Sequence, residues 1–336
     1  MAKVLRLHAF KDYGDVSGIA LDDVDVPEPQ DKEVRIKVDA FSLNYGDFEL
    51  FSNNYMFSMD LPARFGDECA GTVDAIGSGV TAFKVGDRVS TIPWMNVGYG
   101  VDGEFAIVPE DFVALSPSNL SSEEACCIWV AYLTAYYALF EISKVSADDY
   151  VLITAASSSA GMAAMELCRM VGAKTIGTSR TNKNRDFLLS IGFDHVIAQS
   201  DNDMSESIMA FTAGQGARII YDPIGGKIVQ DYANGLAQNA IIFLYGGMDQ
   251  NPTILPEIEM TQKAACLRPF SVYNHVYQRE SRERGITFVR EALERGDIKA
   301  YVEKTYPIED FASAFKDQLA SSTRRGKMVV TTEGRG

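Results

Sequence analysis

The sequence predicts an α/β protein made of a β-rich domain and a doubly wound parallel-sheet domain. Residues 1 to about 125 carry short runs of alternating apolar and polar residues separated by glycine turns, which is typical of antiparallel strands. From Tyr150 onward, strand patterns alternate with helical patterns, which indicates βαβ units and a parallel sheet covered on both faces. After about Gln262 a long helix and a second β-rich segment follow.

In the β-rich part, strands are predicted in VRIKVDAF, ECAGTVDAIGSGVTAFKVGDRVSTI and GEFAIVPEDFVALSP. A serine cap followed by two acids then opens an apolar helix at Ser121. The strands of the parallel sheet are predicted in YVLITAA, KTIGTSR, HVIAQ, ARIIYDPIG and AIIFLYGG. The last part carries CLRPFSVY, the helix RERGITFVREALERG and the strand GKMVVTT.

The composition restricts the partners and the location of the protein. The chain has 336 residues with a net charge of −15, so we expect it to repel nucleic acid and anionic membrane surfaces. No apolar run reaches the roughly 18 residues needed to span a bilayer, and the segment MAKVLRLHAF lacks the features of a signal peptide. We therefore expect a cytoplasmic location and a small-molecule substrate.

The cysteines and histidines show no spacing typical of a metal site. The five cysteines form no C-x-x-C pair, and the three histidines form no H-x-x-x-H pair. An odd number of unpaired cysteines argues against a disulfide framework and against a four-cysteine zinc site.

The segment LITAASSSAG (152–161) connects a predicted strand with a predicted helix. A tight turn of small residues at this place is where dinucleotide-binding folds hold a pyrophosphate, usually through G-x-G-x-x-G. Here Ala156, Ser158 and Gly161 occupy the three glycine positions, which alanine and serine can do if their φ stays negative. The serines add hydroxyl donors. Taken alone, the segment is equally compatible with an ordinary βα turn.

The end of the second strand of the parallel sheet carries cations instead of an acid. Sites that prefer NAD usually have Asp or Glu there to bind the ribose 2′-hydroxyl. In this chain Ser179 and Arg180 are followed closely by Lys183 and Arg185. Such residues would pair with a 2′-phosphate, so the segment favours NADPH, although a solvated helix start has the same composition.

The chain resembles the medium-chain dehydrogenases/reductases of the quinone-oxidoreductase type over nearly its whole length. The segments that carry the resemblance, in order, are FSLNYGD (41–47), GDECAGTVDAIGSGVTAFKVGDRV (66–89), GEFAIVP (103–109), LSSEEACCIWVAYLTAYYAL (120–139), VLITAASSSAG (151–161), IIYDPIGG (219–226) and RGKMVV (325–330). The resemblance implies a GroES-like catalytic domain formed by residues 1–125 and 267–336. It also implies a Rossmann domain formed by residues 126–266, which binds NADPH.

The resemblance also indicates a reaction without zinc. Zinc-dependent members carry a histidine–glutamate pair where this chain has Asp67 and Glu68, and a cysteine near Asn44 and Tyr45, where this chain has none. Oxygen ligands alone rarely make a stable zinc site. Without a metal, hydride transfer needs an acceptor that is already electrophilic, such as a quinone or an α,β-unsaturated carbonyl.

The resemblance assigns roles to individual residues. Tyr55 matches the tyrosine proposed as proton donor in related reductases, with Tyr45 and Tyr99 as alternatives. Asn44 matches a catalytic-site position near the nicotinamide ribose, and Asp47 a supporting position. The predicted cofactor-binding residues are Thr134, Ser157, Ser158, Ser159, Ala160, Gly161, Ser179, Arg180, Lys183, Tyr245, Gly246 and Lys327.

We therefore predict an NADPH-dependent, metal-independent oxidoreductase that reduces a quinone or an activated double bond. Two alternatives stay open: an NADP-dependent carbonyl or alcohol oxidoreductase, and a non-catalytic NADPH-binding protein. The resemblance further implies a homodimer formed through the edge of the parallel sheet, for which CLRPFSVY is the candidate strand. The sequence does not identify the physiological substrate.

Overall fold

A computed structural model describes residues 1–95, 99–200, 203–320 and 323–332. It divides the chain into two compact units. The first unit comprises Met1–Val130, Val276–Glu294 and Lys299–Gly336, and the second comprises Ala131–His275 and Arg295–Ile298. The chain therefore leaves the first unit, forms the second and returns to the first at Val276, with Arg295–Ile298 again part of the second unit.

In chain order the strands are β1 (Ala2–Leu7), β2 (Ile19–Val24), β3 (Glu33–Ser42), β4 (Ala63–Arg64), β5 (Glu68–Ile76), β6 (Arg88–Thr91), β7 (Phe105–Pro109), β8 (Val113–Leu115), β9 (Tyr150–Ile153), β10 (Lys174–Ser179), β11 (His195–Ala198), β12 (Ala217–Asp222), β13 (Leu236–Leu244), β14 (Cys266–Pro269), β15 (Val302–Pro307) and β16 (Lys327–Thr331). The α-helices are α1 (Gly46–Phe51), α2 (Ser122–Ala125), α3 (Trp129–Tyr136), α4 (Ser159–Val171), α5 (Arg185–Ile191), α6 (Met204–Phe211), α7 (Ile228–Asp231), α8 (Glu257–Lys263), α9 (Tyr273–Val276), α10 (Arg279–Arg295) and α11 (Phe311–Ala320).

The first unit is built on two mainly antiparallel sheets. β2, β1 and β4 form the smaller one, and the larger has the order β15-β16-β3-β5-β6-β8, with β7 also paired to β3. Its core is rich in aromatic rings: Phe51 packs edge-to-face on Phe65 at 4.8 Å and on Phe315 at 5.4 Å. Because Phe51 ends α1, these contacts fix the helix that follows Asn44.

The second unit is built on a parallel sheet with the order β11-β10-β9-β12-β13-β14. Every pair of neighbouring strands in it is parallel. Numbered within the unit, this order is 3-2-1-4-5-6, the doubly wound topology in which ligands bind at the carboxyl ends of the strands. The predicted fold class is therefore confirmed.

One face of the parallel sheet carries a continuous apolar core. Leu152, Ile176, Ile197, Ile220 and Ile242 come from five successive strands of the sheet, and each is at most 1% exposed. Burial on both faces explains continuous apolar runs in these strands such as YVLI in β9.

The apolar segment Ser122–Ile142 corrects one expectation from the sequence. It forms a helical stretch of 21 residues, which is long and apolar enough to cross a membrane by length and composition alone. However, 78% of its most apolar window is buried inside the structure, as expected for a core helix. The expectation that no such segment exists is therefore wrong, and burial explains its composition.

Candidate functional site

The turn after β9 contains an alanine in a left-handed conformation. Ala155 has a φ of +46°, a region that costs a residue with a side chain about 1–2 kcal/mol. Ala156 and Ser158, which replace the first two glycines of the motif, keep negative φ values, and that of Ser158 is −71°. Six other described non-glycine residues, among them Ala213 and Ala264, share this left-handed region, so the turn is a candidate ligand site because it lies at the carboxyl end of β9 and not because of its φ.

The turn leads directly into the N-terminus of α4. The Ser158 hydroxyl caps the helix by accepting the N–H of Gly161 at 3.1 Å. A Cβ at Gly161 would lie 2.8 Å from the Ala155 carbonyl oxygen and 2.9 Å from that of Ala156, so only glycine fits this position. Ser159 and Ala160 begin the helix, where backbone N–H groups lack acceptors within the helix and favour an anion.

All five residues predicted to hold a pyrophosphate, Ser157 to Gly161, thus lie in one turn and the first turn of one helix. Ser157 and Ser158 are partly exposed, as are Ser159 and Ala160, so their polar groups are accessible at the surface of the unit. Gly161 is buried beneath the turn. The structure therefore brings these residues together, and their binding of a pyrophosphate stays a prediction.

The predicted phosphate-binding cations follow β10, the strand next to β9. Arg180 and Lys183 are both exposed. The Ser179 hydroxyl donates to the carbonyl oxygen of Thr181 at 2.6 Å, so its proton is already engaged. Arg185 donates from Nη1 to the carbonyl oxygen of Val196 at 2.9 Å. Arg180 and Lys183 are therefore the cations of this segment that can turn toward a phosphate.

Asn184 joins these two loops and was not predicted. It is 3% exposed, and its Nδ2 donates to the Ser157 hydroxyl oxygen at 3.1 Å. Because Ser157 accepts this bond, its own hydroxyl proton is left to donate elsewhere. The sequence offers no signal for this contact, since asparagine is common in any turn.

The carboxyl ends of β9, β12 and β13 are tied together by one buried residue, Asp222. Asp222 accepts the Thr154 hydroxyl at 2.6 Å, and its carbonyl oxygen accepts the N–H of Tyr245 at 3.0 Å. The Tyr245 ring stacks on Tyr221 with the centroids 4.1 Å apart, and burial raises the pKa of Tyr245 well above its usual range. A Cβ at Gly246 would lie 2.7 Å from the carbonyl oxygen of Pro223. The backbone of the predicted nicotinamide segment is therefore rigidly placed.

The predicted cofactor residue Thr134 lies in α3 and is 7% exposed. It belongs to the second unit, as do the turn residues and Tyr245. Its low exposure leaves little of its side chain accessible.

In the first unit, a buried ion pair stands beside Asn44. The Lys327 ammonium forms an ion pair with Glu68, and both side chains are at most 3% exposed. The ammonium also donates to Asn44 Oδ1 at 2.8 Å and to the Ser42 hydroxyl oxygen at 3.1 Å. An ammonium has three N–H donors, and here three oxygens accept them.

The role of Lys327 as a cofactor ligand stays a prediction, and this placement adds a condition to it. A direct contact between its ammonium and a phosphate would require one of the three buried bonds to break. The structure links Lys327 to Asn44, a predicted catalytic residue. The charge of Glu68 raises the pKa of Lys327 against the effect of burial, so that the ammonium stays charged.

Asp47 supports the loop that carries Asn44, as the resemblance implies. Its carboxylate accepts the backbone N–H of Asn44 at 2.7 Å. Burial, together with the charge of Asp67, raises the pKa of Asp47 to about 8. A proton held on Asp47 near neutral pH reduces the repulsion among the acids around Asn44.

Tyr55 lies close to the same loop. Its ring packs on Gly46, where an added Cβ would lie 3.5 Å from the Tyr55 hydroxyl oxygen. Tyr55 and Asn44 are therefore brought to one region. The two alternatives have other contacts, because Tyr99 donates its hydroxyl to Glu33 at 2.6 Å and Arg324 lies 4.8 Å from the ring centroid of Tyr45.

One of the two side chains at the positions of zinc ligands is already engaged by another residue. Asp67 is partly exposed, and Glu68 is engaged by Lys327. Within the described ranges, no three His, Cys, Asp or Glu side chains are placed to hold one metal ion.

Two family models match the chain. The alcohol dehydrogenase GroES-like domain matches residues 30–118, and the zinc-binding dehydrogenase domain matches residues 160–290. A quinone oxidoreductase from Sus scrofa is 27% identical over 308 residues, which cover 92% of each chain. The mitochondrial enoyl-[acyl-carrier-protein] reductase of Homo sapiens is 27% identical over 322 residues, which cover 94% of this chain and 86% of that protein.

The structural comparison agrees with these matches. An Escherichia coli quinone oxidoreductase, solved in complex with NADPH, superimposes with a TM-score of 0.88 at 24% identity, covering 98% of this chain and all of that one. At this identity the likeness shows the fold alone.

Proposed function

Because the chain belongs to the medium-chain dehydrogenase/reductase superfamily of oxidoreductases and is similar to its quinone-oxidoreductase members, we propose that it is an NADPH-dependent reductase that works without a metal ion. The bound cofactor would supply hydride to a quinone or to the β-carbon of an α,β-unsaturated carbonyl compound. The observation that carries the proposal is the turn from Ala155 to Gly161, with its left-handed alanine and a glycine that has no room for a Cβ.

The residues of the second unit fit such a cofactor. Ser157, Ser158 and the first N–H groups of α4 would hold the pyrophosphate, because they present donors at the positive end of the helix dipole. Arg180 and Lys183 would bind the 2′-phosphate, since both are exposed at the end of the second strand of the fold.

The choice of acceptor follows from the donor set in the first unit. Asp67 and Glu68 offer oxygen ligands where zinc-dependent relatives would offer nitrogen, and Glu68 already neutralises Lys327. A carbonyl would then lack a Lewis acid to polarise it, whereas a quinone or an enone is reactive without one. Tyr55 would protonate the reduced product, with its hydroxyl next to the loop of Asn44.

The cofactor assignment is tested by titrating the protein with NADPH and NADH while the nicotinamide fluorescence is followed. Arg180→Ala combined with Lys183→Ala should weaken NADPH binding about 10- to 100-fold, because two charge-assisted contacts are lost, and should change NADH binding about twofold at most. Lys174→Ala is the control, since Lys174 starts the same strand and bridges Asp194 at 3.3 Å. Equal losses for both cofactors would remove the 2′-phosphate assignment.

The reaction is tested by a turnover screen with NADPH and quinones, enones or saturated aldehydes. Turnover of quinones or enones alone supports the proposal. Turnover of saturated aldehydes but not of enones would favour a carbonyl reductase. Tight NADPH binding without turnover of any acceptor would favour a binding protein.

We propose a homodimer formed through β14, the edge strand of the parallel sheet. β14 is largely exposed, and Ile254 and Ile258 before it are 63% and 71% exposed. An edge strand next to exposed apolar side chains is suited to pairing with a second copy. Sedimentation of the wild type and of Ile254→Lys with Ile258→Lys tests this, and a wild-type monomer would exclude it. The cytoplasmic location and the absence of nucleic-acid and membrane partners stay predictions from charge and composition.

A further inference from the structure

The buried pair Lys327–Glu68 contacts the partly exposed side chain of Asn44, besides Ser42 and the backbone of Val130. Asn44 Oδ1 accepts from the Lys327 ammonium at 2.8 Å, and Asn44 Nδ2 lies 3.5 Å from Glu68 Oε2. The two ends of the amide therefore face charges of opposite sign. A rotation of the amide by 180° would place its oxygen against the carboxylate and its nitrogen against the ammonium, which is strongly unfavourable in a buried setting.

The rest of the network holds the pair itself in place. Glu68 Oε1 accepts the backbone N–H of Val130 at 2.6 Å, in the first turn of α3. The Ser42 hydroxyl donates to Glu68 Oε2 at 3.2 Å and lies 3.1 Å from the Lys327 ammonium. The backbone N–H of Asn44 is bound by Asp47. The backbone of Asn44 is thus fixed by Asp47, and the side-chain amide of Asn44 is fixed separately by Lys327 and Glu68.

We infer that Lys327 and Glu68 are positioning residues that fix the amide of Asn44, so that its second Nδ2–H is a preoriented donor. In the described part of the chain that N–H has no partner. The inference rests on the proposed function in one respect, namely that this donor serves the nicotinamide half of NADPH. Lys327 then acts on the cofactor through Asn44, with no contact of its own.

The test uses the double variant Glu68→Gln with Lys327→Met in the full-length protein. Removing one member of a buried ion pair leaves an unpaired charge, whereas removing both is often tolerated, so the double variant is the one expected to fold. Its NADPH affinity should fall about tenfold. Its affinity for 2′,5′-ADP, which lacks the nicotinamide half, should not change. The control is Lys3→Met with Glu309→Gln, an exposed pair at 3.1 Å, which should alter neither affinity.

A thermodynamic cycle separates positioning from a general effect on structure. In an Asn44→Ala background the double substitution should cause no further loss of NADPH affinity, because the group through which it acts is gone. A further loss in that background, an equal loss of 2′,5′-ADP binding or an unchanged NADPH affinity would each overturn the inference.

A readout without cofactor distinguishes this inference from the proposed function. Selective ¹⁵N labelling of asparagine gives side-chain amide signals for Asn44, identified by their absence in Asn44→Ala. The double variant should shift these signals, and the Lys3–Glu309 control should not. Unshifted signals would refute the positioning role. A wild-type protein that binds neither NADPH nor 2′,5′-ADP would instead refute the proposed function.

Discussion

The left-handed conformation of Ala155 predicts that replacing this alanine with glycine stabilises the protein. A φ of +46° costs an L-residue about 1–2 kcal/mol, and glycine adopts it without that cost. Glycine also has more conformational freedom in the unfolded chain, which reduces the gain in stability by about 0.4–1 kcal/mol. Since Ala155 is partly exposed, its methyl group contributes little buried area. The expected net gain for Ala155→Gly is about 0.5–1 kcal/mol.

The neighbouring residue provides a matched control with the opposite sign. Ala156 has a negative φ and is 0% exposed. Ala156→Gly removes a buried methyl group, worth about 0.8 kcal/mol, and adds the same unfolded-chain entropy. We therefore expect a loss of about 1–2 kcal/mol, so that two identical substitutions in adjacent positions should differ by about 2 kcal/mol.

Calorimetry measures this difference. At roughly 2–4 °C per kcal/mol, Ala155→Gly should raise the melting temperature of the second unit by about 2 °C, and Ala156→Gly should lower it by about 4 °C. The chain has two tryptophans, and Trp94 and Trp129 both lie in the first unit, so tryptophan fluorescence identifies the transition of that unit. If both glycine variants lose stability to the same degree, the strain assigned to Ala155 is not real.

Two further predictions concern the first unit. Tyr55→Phe should lower turnover about 100-fold or more with little change in NADPH affinity, as expected for loss of a general acid. The control Tyr99→Phe should leave turnover unchanged, because the Tyr99 hydroxyl donates to Glu33. Full activity of Tyr55→Phe would show that Tyr55 is not the proton donor. Burial and the charge of Asp67 raise the pKa of Asp47 from 3.8 to about 8, so the stability that the protonated carboxyl contributes is complete below about pH 4 and is lost as the pH rises toward 8. Urea unfolding at pH 5 and pH 8 should therefore show a smaller fall in the free energy of unfolding for Asp47→Asn than for the wild type, and equal falls would contradict the raised pKa.

The sequence predicted those features that depend on local patterns. Apolar strands alternating with helices identified the parallel sheet, because burial on both faces leaves a continuous apolar run such as YVLI (150–153). Small residues followed by a helical pattern identified the turn before α4. The cations after β10 could also be predicted from the sequence, because they are close together in the chain.

Contacts between distant residues were beyond such patterns. Lys327 and Glu68 are 259 residues apart, and only the pairing of β16 with β3, and of β3 with β5, brings them together. The sequence predicts a role for Lys327 toward the cofactor, and the structure adds the buried contact with Asn44, which no local pattern could show. The sequence analysis did not identify Ser122–Ile142 as a segment long enough to span a membrane, because a few polar residues interrupt its apolar run. These residues do not prevent its burial.

The strained alanine persists because hydrogen bonds on both sides fix the turn. The N–H of Ala156 donates to the carbonyl oxygen of Thr178 at 3.0 Å, and the N–H of Ser158 donates to that of Ala155 at 2.9 Å. Asn184 holds Ser157 from the next loop at 3.1 Å. At about 1 kcal/mol each, these three bonds exceed the 1–2 kcal/mol that the φ of Ala155 costs. A glycine-rich turn reaches such a backbone through glycine's own freedom; this chain reaches it through hydrogen bonds, and so keeps the turn without the first two glycines of the motif.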